Sequence, residues 1–381
     1  MAHSTLPSDM HKSLITNSSS RFKHFSITLA HGATLTGIVH VPTGSQPSLD
    51  AKPLLVGCHG GTCSAYTFDV SPDYTASTYS QLLDVPFVAF NRPNYLDSSG
   101  WLVDRASNDP SNPRFKLKEG NGFFEEEGRW LHEYVLPALW TEFGTPNRCN
   151  SLVTLSHSMG CIVTIVAASN YSNQAMVDRK YKWAGAILYG LAEVHAKNMF
   201  DALGRDMADP HREPHEVPVG QDERIHTPPF KTSSRTDLMC GPKGLESDET
   251  LRGLIEKGAL PFLAAEPAEL TGWWPQNKAR YMASVQIPIM YALGEYDWIW
   301  QGSKRNVDAF SEHFNNAPRV EGALVEGAPH AIDLGRTRRG WWVKCFGFAM
   351  EVTASAIVRE WEGKPANFEQ GEWPDGRGSK S

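Results

Sequence analysis

The chain has 381 residues, 41% of them hydrophobic, and its 36 basic against 43 acidic side chains leave a net charge of −7. That is enough apolar material for a sizeable core, in one large domain or one domain with an insertion, and the acidic balance argues against nucleic-acid binding, which needs a basic face. Six cysteines, at 58, 63, 149, 161, 240 and 345, show no CxxC spacing in a chain too long to need staples, and so read as free thiols in a reducing compartment.

Residues 1–21 read as a disordered polar tail. The first twenty contain no apolar stretch of the secretory kind, so a cytoplasmic location is expected. Two extended runs, FKHFSITLA and TLTGIVHVP, alternate around His31-Gly32 and predict an antiparallel hairpin. Residues 42–52 are a polar loop. Leu54 to Cys58 is a short buried strand that ends in His59-Gly60-Gly61-Thr62. Glycines after a strand leave backbone N–H groups free to point into a cavity. In serine hydrolases such a loop supplies one oxyanion donor, and Gly61 is the candidate, with Gly60 or Thr62 as substitutes. Residues 86–90 form the next strand, followed by Asn91-Arg92-Pro93. The polar stretch 94–119 holds Trp101, a substrate contact or a loop anchor. Residues 123–143 carry apolar side chains at helical spacing, Phe124, Trp130, Leu131, Tyr134 and Leu139 among them. Glu125-Glu126-Glu127 reads as a solvated first turn that suits the helix dipole, and not as an acid pair for catalysis.

The stretch SLVTLSHSMGCIVTIVAASNY, residues 151–171, organises the chain. Strand residues Leu152 to Leu155 run into Ser156-His157-Ser158-Met159-Gly160, and an apolar helix follows. Strand, tight turn and buried helix form the setting of a nucleophile elbow, with Ser158 at its tip. Small residues must flank the tip because strand and helix backbones approach closely. Gly160 meets that need, and Ser156 stands where glycine is usual. The competing reading of Ser158 is a plain helix N-cap. Met159, directly after the serine, is the second candidate oxyanion donor.

Residues 183–191 (WAGAILYGL) are another buried strand, and strands separated by helices imply a parallel sheet. Residues 192–284 break the rhythm with proline, glycine, histidine and charge, and read as a lid inserted at the rim of the site. Trp273 and Trp274 in its second half, and Trp298 and Trp300 beyond it, are candidate substrate contacts, although packing is the better expectation for most of the lid's apolar residues. His211 and His215 have a zinc-pair spacing, but Pro214 breaks the helix this would need and no third ligand is in sight, so no metal or other cofactor is expected. Residues 287–293 are a strand followed at once by Gly294-Glu295-Tyr296-Asp297. Residues 301–314 read as a helix, and 323–325 as a short strand before Glu326-Gly327-Ala328-Pro329-His330. The apolar run 341–361 is interrupted by Lys344, Glu351, Arg359 and Glu360, so a core helix is expected there, not a membrane span. Residues 362–381 are a polar tail ending in Ser-Lys-Ser, where a peroxisomal address would end Ser-Lys-Leu.

Ser158, Asp297 and His330 thus fall, in that order, at the ends of predicted core strands, and in an open parallel sheet those ends share one edge. The imidazole would take the serine proton, and the carboxylate would fix its tautomer. Glu295, and less so Glu193, compete with Asp297 for the acid role. His157 and His59 read as structural. With LLVGCHGGT, VAFNRP, LSHSMGCI, LGEYD and GAPHAIDL in place, residues 22–361 resemble the α/β-hydrolase superfamily. The resemblance implies an eight-stranded, mostly parallel sheet flanked by helices, with 22–191 and 285–361 as the core and 192–284 as the lid, and a serine hydrolase activity. The sequence departs from the family's habit at Ser156 and at Asn94, where glycine is common. The long polar lid and the chain ends are similar to fungal α/β-hydrolases of secondary metabolism.

The expected reaction is hydrolysis of an ester or thioester with an apolar or aromatic acyl part, as in a carboxylesterase or thioesterase. The same triad also serves acyl transfer, lactonisation or carbon–carbon cleavage. A third reading is a ligand-binding member of the fold without turnover. Serine at the elbow speaks against epoxide hydrolases and dehalogenases, which place a carboxylate there. The partner expected is a small-molecule ester or acyl thioester, with no nucleic acid and no membrane span; the oligomeric state is left open.

Overall fold

The structure, a computed structural model, describes residues 21–43, 51–98, 122–199, 201–202, 226–227, 232–246, 248, 250–260, 262–263 and 265–361. The expectations for Trp101, the histidine pair 211 and 215, and both tails lie outside the described residues. β1 (Lys23–Thr28) and β2 (Thr34–His40) form the predicted antiparallel hairpin. β3 (Pro53–Cys58) follows, then a small ribbon of β4 (Asp69–Ser71) and β5 (Tyr74–Thr75), helix α1 (Ser77–Leu83) and β6 (Phe87–Phe90). Helix α2 opens as Phe123–Trp130 and runs on through π turns at Leu131–Val135 and Trp140–Gly144. Pro137 explains the slip in its ladder, since it has no N–H to donate to the preceding turn.

β7 (Ser151–His157), α3 (Met159–Asn173) and β8 (Trp183–Tyr189) follow. Between β8 and β11 the described elements are β9 (His226–Thr227), α4 (Thr232–Cys240), α5 (Thr250–Lys257), β10 (Phe262–Leu263), α6 (Ala265–Thr271) and α7 (Trp273–Ser284). β11 (Ile289–Tyr296), α8 (Lys304–Glu312), β12 (Val320–Pro329) and α9 (Arg338–Trp361) complete the chain.

Eight strands form one sheet in the order β1-β2-β6-β3-β7-β8-β11-β12. The pairs from β6 to β12 are parallel, and the β1-β2 and β2-β6 pairs are antiparallel. Strands β3, β6, β7 and β8 are buried at every position, which is why they read as unbroken apolar runs rather than alternations. One apolar cluster joins one face of the sheet to α2, α3 and α8. A second joins the opposite face to α9, through Trp341, Trp342, Phe346 and Phe348. This is an α/β-hydrolase fold. No helix among the described residues is long and apolar enough to cross a membrane. All six cysteines are free and buried.

Two elements exceed their sequence expectation. β11 continues to Tyr296 and β12 spans Val320–Pro329, because the two pair along Ile289↔Val320 to Gly294↔Val325 and again at Tyr296↔Pro329. β12 is a half-exposed edge strand with glycines at 322 and 327, so it offers no apolar run to recognise.

Candidate active site

β7 stops at His157 because Ser158 adopts φ 52° and ψ −123°, in a region that side-chain-bearing residues avoid. The turn is held by Ser158 N–H donating to Tyr189 O at 2.8 Å and Cys161 N–H donating to Ser158 O at 2.9 Å. Gly160 is obligatory: a Cβ there would lie 2.6 Å from His59 O and 2.7 Å from Cys58 O. Ser156, where glycine is usual, is fully buried, and its hydroxyl oxygen lies 2.6 Å from that of Thr164. Asn94 likewise holds φ 66°, the left-handed conformation that asparagine tolerates best after glycine.

At the neighbouring strand ends, His330 Nδ1 lies 2.8 Å from Asp297 Oδ2, and both side chains are fully buried. Asp297 Oδ1 accepts the N–H groups of Ile299 (2.8 Å) and Trp300 (2.9 Å), which fixes the carboxylate plane. The competing acids lie elsewhere. Glu295 is exposed and caps the Gly327 N–H at 2.8 Å, while Glu193 meets Lys278 and His313. Gly190, at φ +70°, makes room for the imidazole: a Cβ there would approach His330 Cε1 to 3.1 Å. His330 Nε2 is buried with no hydrogen-bond partner among the described residues, Ser158 included. Such contacts tighten when substrate binds.

The other two histidines of the region are scaffolding. His59 Nε2 accepts the Arg92 N–H at 3.0 Å, so the proton sits on Nδ1, which donates to Gly60 O at 2.7 Å. Burial, then the Arg92 charge, pushes its pKa well below the usual histidine range. His157 packs its ring on Tyr189 and His330, with centroids 4.7 and 4.8 Å away. Burial, then its neighbour His330, holds it neutral as well.

Ser158 and His330 line one cavity of about 50 Å³, together with Gly61, Thr62, Met159, Leu191, Met199, Arg235, Leu238, Met239, Leu270, Ile299 and Trp300. Met159 is the first residue of α3, where a helix N–H has no partner within the helix. Gly61 enters from the loop after β3. The Thr62 N–H is already engaged by Tyr95 Oη at 3.3 Å, which leaves Gly61 the better donor of the two.

Three of the four tryptophans expected to contact substrate lie away from the Ser158 cavity. Trp274 is buried in the core cluster beneath α7, and Trp273 packs on Gly122 and Tyr281. Trp298 is half-buried, and none of the three is among the residues lining the Ser158 cavity. The aromatic wall is Trp300, whose Nε1 donates to Gly190 O at 3.1 Å. Trp300 is the fourth tryptophan that the sequence offers as a contact, and Ile299 beside it was within reach of the same reasoning, since both lie just after Asp297. Met199, Arg235, Leu238, Met239 and Leu270 were not, because the segment that supplies them carries no motif.

No protein-family model matches the chain, and no curated protein does. Among solved structures it is similar to naproxen esterase (carboxylesterase NP) from Bacillus subtilis, with a TM-score of 0.55 and 12% identity over 91% of this chain and 99% of that one. An epoxide hydrolase from Vigna radiata gives a TM-score of 0.52 and 14% identity over 88% and 100%. E-2-(acetamidomethylene)succinate hydrolase gives 0.51 and 13% over 86% and 98%. At such identities the likeness speaks for the shared fold.

Proposed function

We propose that this protein is a serine hydrolase that cleaves an ester or thioester with an apolar acyl part through an acyl-enzyme. The observation that carries the reading is the His330–Asp297 hydrogen bond of 2.8 Å, in a histidine that lines the same cavity as a serine in a strained elbow and whose Nε2 has no partner among the described residues. Ser158 Oγ attacks the substrate carbonyl while its proton passes to His330 Nε2. Asp297 holds the proton on Nδ1 beforehand and stabilises the imidazolium afterwards. The Gly61 and Met159 N–H groups receive the developing oxyanion. Collapse breaks the bond to the alcohol or thiol, which leaves with the proton from Nε2. Water then attacks the acyl-enzyme by the same route, releasing the acid and restoring the serine.

The wall around the serine is built from leucine, methionine, isoleucine and tryptophan side chains, which suits an apolar acyl group. Serine at the elbow, where carboxylate chemistry would need an acid, keeps the epoxide hydrolase reaction off this chain. We assign 22–191 and 285–361 to the catalytic core and 192–284 to a lid over it. The test is labelling by a fluorophosphonate probe, followed by turnover of graded esters and acyl thioesters in ¹⁸O-water. Wild type is expected to be labelled and Ser158→Ala not, with solvent oxygen in the acid product. Equal labelling of both proteins refutes the nucleophile assignment, and a product without solvent oxygen refutes hydrolysis.

A further inference from the structure

Thr62, the residue after the candidate oxyanion donor, sits at φ 58°. A β-branched residue is a genuine outlier in that region, and it persists only where its surroundings over-determine it. The surroundings here come largely from the segment between β8 and β11. Arg235 of α4 donates from Nε to Thr62 Oγ1 at 2.6 Å and from Nη2 to Thr62 O at 2.9 Å. Leu260 N–H donates to the same carbonyl at 3.0 Å. On the other side, Tyr95 Oη accepts the Thr62 N–H and donates to Glu266 Oε2 of α6 at 2.6 Å. Glu266 is buried and is itself gripped by Arg92 Nη2 at 2.5 Å. Every polar atom of Thr62 is therefore tied, directly or through Tyr95, to that segment. Arg235 is buried and anchored by donation from Nη1 to Ile255 O at 2.9 Å, which leaves Nε and Nη2 for the loop, where Nη2 also lies 3.4 Å from Cys63 Sγ.

We infer that Arg235 is a positioning residue: docking of the β8–β11 segment, through Arg235 and secondarily Glu266, holds the Gly60-Gly61-Thr62 loop in its strained form and so aims the Gly61 N–H at the oxyanion. The segment is then part of the catalytic apparatus as well as a cover. This deepens the serine hydrolase reading and rests on it for the role of Gly61. The clamp itself is a statement about loop geometry and is tested separately.

The experiment compares wild type with Arg235→Ala and Arg235→Lys. Lysine keeps the charge but cannot make the paired bonds to Oγ1 and O. The first readout is hydrogen exchange of the peptide covering 58–64. Both variants are expected to exchange faster there, with alanine the faster and the β7 peptide unchanged. The second readout is turnover of p-nitrophenyl butyrate and its thiono analogue, whose sulfur fits an oxyanion site poorly. Arg235→Ala is expected to lower kcat on the oxygen ester about 100-fold, as loss of one oxyanion donor does. KM should stay within about threefold, and the oxygen-to-thiono rate ratio should fall about tenfold, since the site that discriminates is the one displaced. Unchanged exchange over 58–64 overturns the clamp. Faster exchange with an unaltered rate ratio overturns its role in aiming Gly61. If wild type and Ser158→Ala turn over the ester equally, the hydrolase reading falls, and the exchange data still decide whether the clamp exists. Should Arg235→Ala fail to fold, Arg235→Lys gives the same two readouts with smaller expected changes.

Discussion

Replacing Asp297 by asparagine tests the site at its most determined point. Oδ1 of Asp297 accepts two backbone N–H groups, from Ile299 and Trp300, at 2.8 and 2.9 Å. In Asp297→Asn the side-chain oxygen must stay where those donors point, because the flipped amide would set NH₂ against two N–H groups. The NH₂ is thereby forced to the place of Oδ2, 2.8 Å from His330 Nδ1. A donor at that place makes Nδ1 an acceptor and moves the ring proton to Nε2, the atom that accepts the serine proton in the proposed mechanism. The backbone thus selects the wrong tautomer, and a simple rotamer change does not repair it. The expected loss in kcat is about 10⁴-fold, or about 5 kcal/mol on the barrier. Because the two side chains have nearly the same shape, the melting temperature should move by only a few degrees. The assay is steady-state hydrolysis of a p-nitrophenyl ester, with Glu295→Gln as control, since Glu295 is exposed and serves Gly327. Retention of more than about a tenth of wild-type kcat by Asp297→Asn, or the large loss in Glu295→Gln instead, refutes the tautomer argument.

Gly160→Ala forces a Cβ to within 2.7 Å of two backbone carbonyl oxygens, so the elbow and β3 must part by most of an ångström. Turnover should fall about 100-fold and stability by about 1–3 kcal/mol, read by kcat and urea melts. Arg92→Leu leaves Glu127 and Glu266 facing each other in the core without their cation, and should cost about 3–5 kcal/mol in urea denaturation. An unchanged urea midpoint would show that the pair adapts by protonation alone. Burial pushes Asp333 up to about 7 from an ordinary 3.8. The folded chain therefore holds this proton between those values while the unfolded chain releases it, and stability is lost as pH rises through the window. Asp333→Asn should stabilise the protein more at pH 8 than at pH 5, by about 2 kcal/mol, in melts at the two pH values. His40 and His132 carry the opposite sign. Burial first, then a nearby arginine, lowers each to about 4, so stability is lost as pH falls from 6.5 towards that value. His132→Gln should flatten the acid limb of a pH–stability profile.

The parts of this protein that short-range physics governs were legible in the sequence. A strand buried on both faces must be apolar throughout, so β3, β6, β7 and β8 announce themselves. An elbow with its helix pressed on the β3 loop must have a small residue at 160, whatever the rest of the chain does. The order of Ser158, Asp297 and His330 at strand ends follows from the same local signals. The choice between Glu295 and Asp297 does not. Asp297 falls just past the end of β11, and the turn there, with Oδ1 accepting the Ile299 and Trp300 N–H groups, brings its carboxylate rather than that of Glu295 to His330. Which of the four candidate tryptophans reaches the cavity is open in the sequence for a related reason: an indole is buried by whichever apolar surface lies nearest. Hence Trp273 and Trp274 went to the helix layer, and Trp300 to the cavity. Arg235 had no local signature, because its partner Thr62 lies 173 positions away. The sequence by itself set the strands, the elbow and the chemistry on offer, since each depends on neighbours within a few residues. Which acid bonds His330, which indole lines the Ser158 cavity and which arginine grips Thr62 was left to the tertiary structure, because those contacts depend on where distant segments come to rest.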